Sequence, residues 1–375
     1  MIYLDNAATT LQKPEQVKKA MFEAFGSCAN SGRGGYKEAN RAADVMYDAR
    51  VRVAEFFGAE NAEQIVFTQN ATHALNIAIK GVAEKGSCVI SGYEHNSVVR
   101  PIFGMKDKGV ECFVARGRLF DREGMVKAFA KAIRRNTRFA VCTHVSNAFG
   151  YILPIKEIDE LCYRKGIPLI VDASQSAGCL SIKLSDTKAV ACICAPGHKG
   201  LYGPQGTGVL VCRNGKELKP FMEGGTGSAS SGYAQPDFMP DRFESGTQNV
   251  PAIAGLSEGV AYVMSEGSEN ILRHERKLVE YVAHELKKTD GIKVFDAEEK
   301  EVGTGVISFV HESASADVIA GKLSELEIAV RSGVHCAPLA HKSVGTPFGT
   351  VRVSVSNFTT MREVEQFVSA LKSIV

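Results

Sequence analysis

Between about residue 50 and residue 215, short continuous apolar runs alternate with longer stretches in which apolar residues return every three or four positions. A run apolar on both faces suits a strand buried in a parallel sheet. The longer period suits a helix laid over that sheet, so the pattern predicts repeated β–α–β units. The strands expected are residues 64–67, 87–91, 111–115, 139–144, 168–172, 189–195 and 208–212, with amphipathic stretches such as 45–57 and 153–165 between them. From 253 to about 286 a helical pattern continues almost without breakers and leads out of this lobe. Residues 292–375 read as α+β: strand 304–310, helix 315–326, strands 329–331 and 350–354, and a closing helix 361–374. The Gly/Ser-rich segment 224–232 is the one long loop, of a kind that often sits over a site.

At 375 residues the chain exceeds the size at which single cores divide, so two lobes are expected. The division falls into a large lobe over 15–255 and a small α+β lobe made of 1–14 and 256–375. A net charge of +2 with 23% charged residues provides no basic footprint for nucleic acid. No apolar run approaches the roughly 20 residues that span a bilayer. With no signal peptide in view, the expectation is a cytoplasmic enzyme without membrane association. Ten cysteines do not make a disulfide framework here, because most lie in apolar runs such as 190–195 and read as reduced core residues. There is no CxxC pair. Cys192 and Cys194 are expected to point to opposite faces of a strand, which argues against a metal or redox pair, and no metal site is expected.

The chemistry concentrates in two places. Ala195-Pro-Gly-His-Lys-Gly-Leu-Tyr-Gly-Pro-Gln-Gly-Thr-Gly208 puts Lys199 in a glycine-rich turn after one apolar run, and Asp172 ends another. A lysine that forms a Schiff base with an aldehyde, and a carboxylate that keeps a pyridine nitrogen protonated, are the two protein groups that pyridoxal phosphate chemistry requires. Both sit at the C-terminal ends of expected strands, where open α/β sheets bind ligands. The segment from Thr68 to Asn76 follows a strand and opens a helix, so the backbone at Ala71 and Thr72 and the Thr72 hydroxyl suit a phosphate at the helix's positive end.

These segments, with Tyr3-Leu4-Asp5-Asn6-Ala7-Ala8-Thr9-Thr10 at the start and Val351-Arg352-Val353-Ser354 near the end, resemble the class V aminotransferase family nearly end to end. Within it they resemble the cysteine desulfurase and selenocysteine lyase branch. The resemblance implies an α/β, fold-type-I pyridoxal-phosphate-dependent transferase, with a mainly parallel seven-stranded sheet in the large domain and a smaller α+β domain. It implies that Lys199 carries the cofactor, that His95 stacks on the pyridine ring and shuttles protons, and that Asn147 and Gln175 lie at the cofactor's 3-hydroxyl. His198 joins Thr72 at the phosphate. Thr247, in Arg242-Phe-Glu-Ser-Gly-Thr-Gln-Asn249, matches a threonine that reaches across a dimer interface to the partner's phosphate, which implies a homodimer with shared sites.

The resemblance extends to Arg331-Ser-Gly-Val-His-Cys336, similar to the desulfurase loop whose cysteine takes sulfur as a persulfide. Its short spacing to Arg352 matches the branch with a compact, ordered loop, the type II group. Of the ten cysteines only Cys336 lies in a polar, Gly/Pro-punctuated loop beside a histidine and near an arginine, surroundings that favour thiolate. Arg352 matches the arginine that forks onto the substrate carboxylate, a task for a planar bidentate donor, with Arg331 assisting and Asn147 nearby.

Three positions depart from the family pattern. Pro196 stands where relatives have a phosphate-binding serine, so Thr72, His198 and Thr247 carry more of that load. Gly200 reads as an insertion after the lysine, and Gly32 replaces a histidine that faces substrate. The activity implied is removal of sulfur from L-cysteine, or of selenium from L-selenocysteine, leaving L-alanine and passing the chalcogen to an acceptor protein. Two alternatives stand beside it: a transaminase or β-eliminating lyase with Cys336 as bystander, against which the loop argues, and a non-catalytic relative, against which the Asp172/Lys199 pair argues. Sulfur and selenium are not separated by these residues.

Overall fold

Wherever the apolar runs are unbroken the backbone is extended and covered on both faces. In the computed structural model, which describes residues 1–32, 34–297 and 299–375, the chain opens with strand β1 (Ile2–Tyr3) and helices α1 (Glu15–Ser27) and α2 (Lys37–Phe57). There follow β2 (Ile65–Thr68), α3 (Ala71–Val82), β3 (Gly86–Ser91), α4 (Asn96–Phe103), β4 (Val110–Ala115) and α5 (Arg122–Ala132). After these come β5 (Thr137–Thr143), α6 (Ile155–Lys165), β6 (Leu169–Asp172), β7 (Val190–Pro196) and β8 (Gly208–Cys212). Strands β2 to β8 form one seven-stranded sheet in the order β2-β8-β7-β6-β5-β3-β4. Strand β8 is antiparallel to both its neighbours and the other pairs are parallel, so the sheet is mainly parallel, as expected.

Alternate residues of these strands feed two apolar layers. Val89, Ala140, Val171 and Ile193 pack under α2, α5 and α6, whereas Ile90, Val141 and Ile170 pack under α3 and α4. Cys192 and Cys194 both belong to the second layer. The expectation that they face opposite ways is therefore wrong: residues two apart on a strand share a face.

The helical run from 253 to 286 divides into α7 (Val250–Glu266) and α8 (Ser268–Leu286), because Gly267 adopts φ 80° and breaks the ladder between them. Beyond lie β9 (Ile292–Phe295), β10 (Val306–His311), α9 (Ala316–Glu325), β11 (Ile328–Ala329) and β12 (Arg331–Gly333). The chain closes with α10 (Pro338–Val344), β13 (Thr350–Ser354) and α11 (Met361–Ile374). Four of these strands make an antiparallel sheet, β12-β13-β10-β9, with its own core around Leu278, Phe309, Val351 and Phe367.

Two expectations change here. The single strand at 329–331 is two strands in different sheets: β11 pairs in parallel with β1, and β12 pairs with β13. Strand β9 was not anticipated. The β1–β11 pairing and the bridge between Asp5 and Ser354 bind the N-terminal segment to the small sheet. Among the described residues no helix is long and apolar enough to cross a membrane.

Candidate functional site

From β3 the chain goes outward to β4, then returns to lay β5, β6 and β7 on the other side of β3. The loops after β3 and β5 therefore part company, leaving a crevice at the strands' C-terminal ends. A cleft of about 270 Å³ lies there, and the turns after β3, β5, β6 and β7 all contribute to it.

Asp172, the last residue of β6, is 2% exposed, and its Oδ1 accepts a hydrogen bond from Ser174 N at 2.9 Å. Lys199 lies just past the end of β7, in a turn closed by Gly197 N to Thr207 O and Gly203 N to Gly197 O. Both line the cleft. Burial pulls the Lys199 amine down to about 8, with the Asp172 charge resisting and Arg352 and Arg331 assisting. Four donors converge on the carbonyl of the preceding residue, His198: Thr10 N (3.1 Å), Thr9 Oγ1 (3.2 Å), Thr10 Oγ1 (3.0 Å) and Lys13 Nζ (3.0 Å). The N-terminal segment thus pins the lysine turn. The His198 ring, held near 4 by burial, leaves Nδ1 without a partner.

Gly200 has a structural reason. A Cβ on Gly178, which sits at φ 105°, would lie 1.9 Å from Gly200 O, and a Cβ on Gly200 would lie 2.3 Å from Ala177 O. The turn after Asp172 and the turn carrying Lys199 touch backbone to backbone, and no side chain fits between them.

Helix α3 starts at the cleft. Asn70 caps it by accepting from His73 N (2.9 Å), while Ala71 and Thr72 line the cleft with N–H groups that no helical carbonyl can satisfy. His95 caps α4. Its Nδ1 accepts from Ser97 N (3.0 Å) and lies 2.8 Å from Ser97 Oγ, which lies 2.8 Å from Thr72 Oγ1. Burial holds the ring near 4, the Asp172 charge opposing, so the imidazole is neutral and its proton is assigned to Nε2. Ser97 was not singled out in the sequence. Its place in the first turn of α4, one step after His95 and Asn96, is the signal that was available.

Asn147 ties two parts together: its Nδ2 donates to His335 O (2.7 Å), and its carbonyl accepts from Arg352 Nη1 (3.0 Å). Gln175 donates through Nε2 to Ala7 O (2.9 Å), leaving Oε1 for a ligand. Arg352 is 1% exposed, is ion-paired to Asp5, and presents an Nε with no partner. Arg331 sits opposite Arg352 in the β12–β13 register and lines the same cleft.

Cys336 is the one exposed cysteine of the ten, and it too lines the cleft. His335 and Cys336 both hold positive φ, 50° and 55°. Such consecutive left-handed residues persist only where the surroundings enforce them. Here Asn147 holds the His335 carbonyl, Asn96 N donates to Cys336 O (2.8 Å), and Ala337 N donates to Val334 O (2.8 Å). His335 does not supply the charge expected of it: its Nε2 turns to Thr350 Oγ1 (3.0 Å), and burial keeps it neutral, near 2. The arginines that line the cleft with Cys336 are Arg331 and Arg352.

Pro196 lines the cleft, whereas Thr247 and Gly32 do not. Within one chain those two line a separate cleft of about 310 Å³, with Tyr47, Arg50 and Gly227. Nearby helices expose Phe22 (81%), Phe25 (80%) and Tyr47 (63%).

The description "Aminotransferase class-V" matches residues 2–367 of the chain. A probable cysteine desulfurase of Methanothermobacter thermautotrophicus is 34% identical, over 100% of this chain and 94% of that protein. One of Pyrococcus abyssi is 32% identical, with the same coverage. The solved apo structure of a cysteine desulfurase from Thermococcus onnurineus NA1 superposes with a TM-score of 0.92 at 31% identity, covering 100% of this chain and 94% of that one.

Proposed function

The chain belongs to the aminotransferase class-V family, and on that premise we propose that it takes sulfur from L-cysteine, releasing L-alanine and leaving the sulfur on Cys336 as a persulfide. The carbon–sulfur bond of the substrate breaks, a sulfur–sulfur bond forms, and no external oxidant or reductant is consumed. The observation that carries this reading is the placement of the one exposed thiol, Cys336, in the same cleft as Lys199 and Asp172.

The cleft suits pyridoxal phosphate as cofactor. A lysine with a lowered proton affinity, a buried carboxylate, a capped helix N-terminus with unsatisfied N–H groups and an orphaned Arg352 Nε are the donors and acceptors that this cofactor and an amino acid need. When bound, the cofactor supplies a protonated pyridine ring that takes up the electron pair left at the substrate's α-carbon.

Each residue then has a task. Asp172 holds the proton on the ring nitrogen by ion pairing. Lys199 anchors the aldehyde and afterwards moves the α-proton as a free amine. Thr72 and the first turn of α3 receive the phosphate, a role enlarged by Pro196, which offers neither hydroxyl nor N–H. Neutral His95, with Nε2–H to donate, would stack on the ring, and Gln175 Oε1 and Asn147 would serve the ring hydroxyl. Arg352 Nε and Arg331 fix the substrate carboxylate. A second copy of the chain brings Thr247 to this phosphate, and the exposed aromatic residues of α1 and α2 are the surface that such a homodimer would cover. Exposure of Cys336 leaves its sulfur open to an acceptor protein.

Cys336→Ala tests the reading. The variant should keep the visible absorbance of bound cofactor and still bind cysteine, yet lose alanine release by at least about 100-fold. Wild-type Cys336 should gain the mass of one sulfur atom. Full cysteine turnover by the variant, with no sulfur on the wild-type residue, would overturn the proposal.

A further inference from the structure

A second cavity, of about 40 Å³, abuts the cleft and shares Lys199, Gln175 and Ser174 with it. Its far wall is helix α8, through Glu275, and the approach to β10, through Gly305. Glu275 stands on the apolar side of α8 among Ile271, Leu272, Leu278 and Val279, a position where an amphipathic helix ordinarily carries an apolar residue. It is only 9% exposed and makes no hydrogen bond or ion pair with another described residue. Gly305 gives it room, since a Cβ there would come within 2.7 Å of Glu275 Oε2.

A buried carboxyl with no partner among the described residues needs water. At roughly 10–15 Å³ for each, the chamber has room for about three molecules, and Ser174 and Ser356 offer them further polar partners. Burial, the one cause acting on Glu275, pushes its carboxyl up to about 8, the value at which Lys199 also stands. The other titratable groups facing it are silent near neutrality. Cys179 and Tyr202, from the two turns opposite, are pushed well up by burial and stay protonated. Arg276, on α8 itself, turns away to the carbonyls of Gly303 and Glu301.

We propose that Glu275 and the waters of this chamber form a proton-holding site that exchanges protons with Lys199 from outside the substrate cleft. In the forward sense the O–H bond of Glu275 breaks as a chamber water takes its proton, and a water proton passes to Lys199 Nζ, leaving carboxylate and ammonium. The return restores the neutral pair, so atoms and charge balance. Lysine 199 must gain and lose protons while substrate fills the cleft, and this route stays open then. The inference rests on the role of Lys199 proposed above.

The test compares the holoenzyme with its Glu275→Gln variant. In the infrared difference between them, at pH 7, a protonated carboxyl band belongs to the wild type and titrates away near pH 8, with the cofactor present or removed. The band of Glu94, the other buried carboxyl raised to about 8 among the described residues, is common to both proteins and cancels. In the variant kcat should fall about tenfold, less than the roughly 100-fold of a group in direct contact, with KM unchanged and a larger solvent deuterium isotope effect on kcat. Absence of the band, or an unchanged kcat and isotope effect, overturns the proposal. Should Glu275→Gln fail to fold, Glu275→Asp must shift the midpoint of the band, and a fixed midpoint overturns it equally. Borohydride reduction separates the two readings: label on Lys199 in both proteins keeps the site assignment whatever the band does, and an unlabelled wild-type Lys199 overturns that assignment first.

Discussion

Asp5 Oδ1 accepts a hydrogen bond from Arg352 Nη2 at 2.6 Å, joining residues 347 positions apart in the chain. With Asn147 O on Nη1, two of the three guanidinium nitrogens are engaged before any ligand arrives. The arginine is therefore aimed in advance, and the substrate carboxylate proposed above would meet its one remaining nitrogen together with Arg331.

Asp5→Asn should leave that buried guanidinium without its counter-ion. A loss of roughly 3 kcal/mol in unfolding free energy is expected, as for other broken buried pairs, read from denaturant midpoints. An unchanged midpoint would mean that the pair contributes nothing to the fold.

The cofactor-free protein should be most stable near pH 6.5. Burial holds His95, His144, His198 and His341 near 4 and His335 near 2. Below the ordinary 6.5 the unfolded chain binds protons that these native rings refuse, so stability falls as the pH drops. Glu94 and Glu275, raised to about 8 by burial, act in the other sense. Above about 4.5 the unfolded carboxyls have released protons that the native ones keep, so stability falls as the pH rises, by roughly 1.4 kcal/mol per unit for each. Between 4.5 and 6.5 the five histidines outweigh the two acids, and from 6.5 to 8 the acids act alone. Denaturation at pH 5, 6.5 and 8 should show the maximum, and Glu94→Gln should about halve the alkaline slope. A stability that climbs steadily to pH 8 would contradict the assignment.

Mixed dimers test whether Thr247 serves the partner's site. Lys199→Ala and Thr247→Ala chains should each be impaired alone, yet their co-refolded hybrid should recover activity, because one of its two sites then combines an intact Lys199 with an intact Thr247. If Thr247 served its own chain, no hybrid site would be whole and mixing would restore nothing.

The seven strands of the large sheet were readable because each is a short apolar run whose ends carry chemistry, and Asp172, Lys199 and Cys336 stood out by residue type in context. What escaped depends on partners far away in sequence. Asp5 is unremarkable until β1 pairs with β11, Ser97 until α3 and α4 meet, and Glu275 until α8 closes over the lysine turn. Local signals failed in two other places. Gly267 was passed over inside a long helical pattern, and the stretch from Ile328 to Gly333 hid a change of sheet, since a strand's pattern does not say which neighbour it will take. Thr247 is a third kind of case, because its proposed counterpart lies on another chain.

The backbone contact between Gly178 and Gly200 couples the two halves of the chemistry mechanically. Asp172 heads one turn and Lys199 the other, and with no side chain between them to compress or rotate, the turns move as one block. Shifts of the small sheet, which carries Arg352, can then alter the far side of the cleft while the spacing between Asp172 and Lys199, on which the proposed chemistry depends, stays constant.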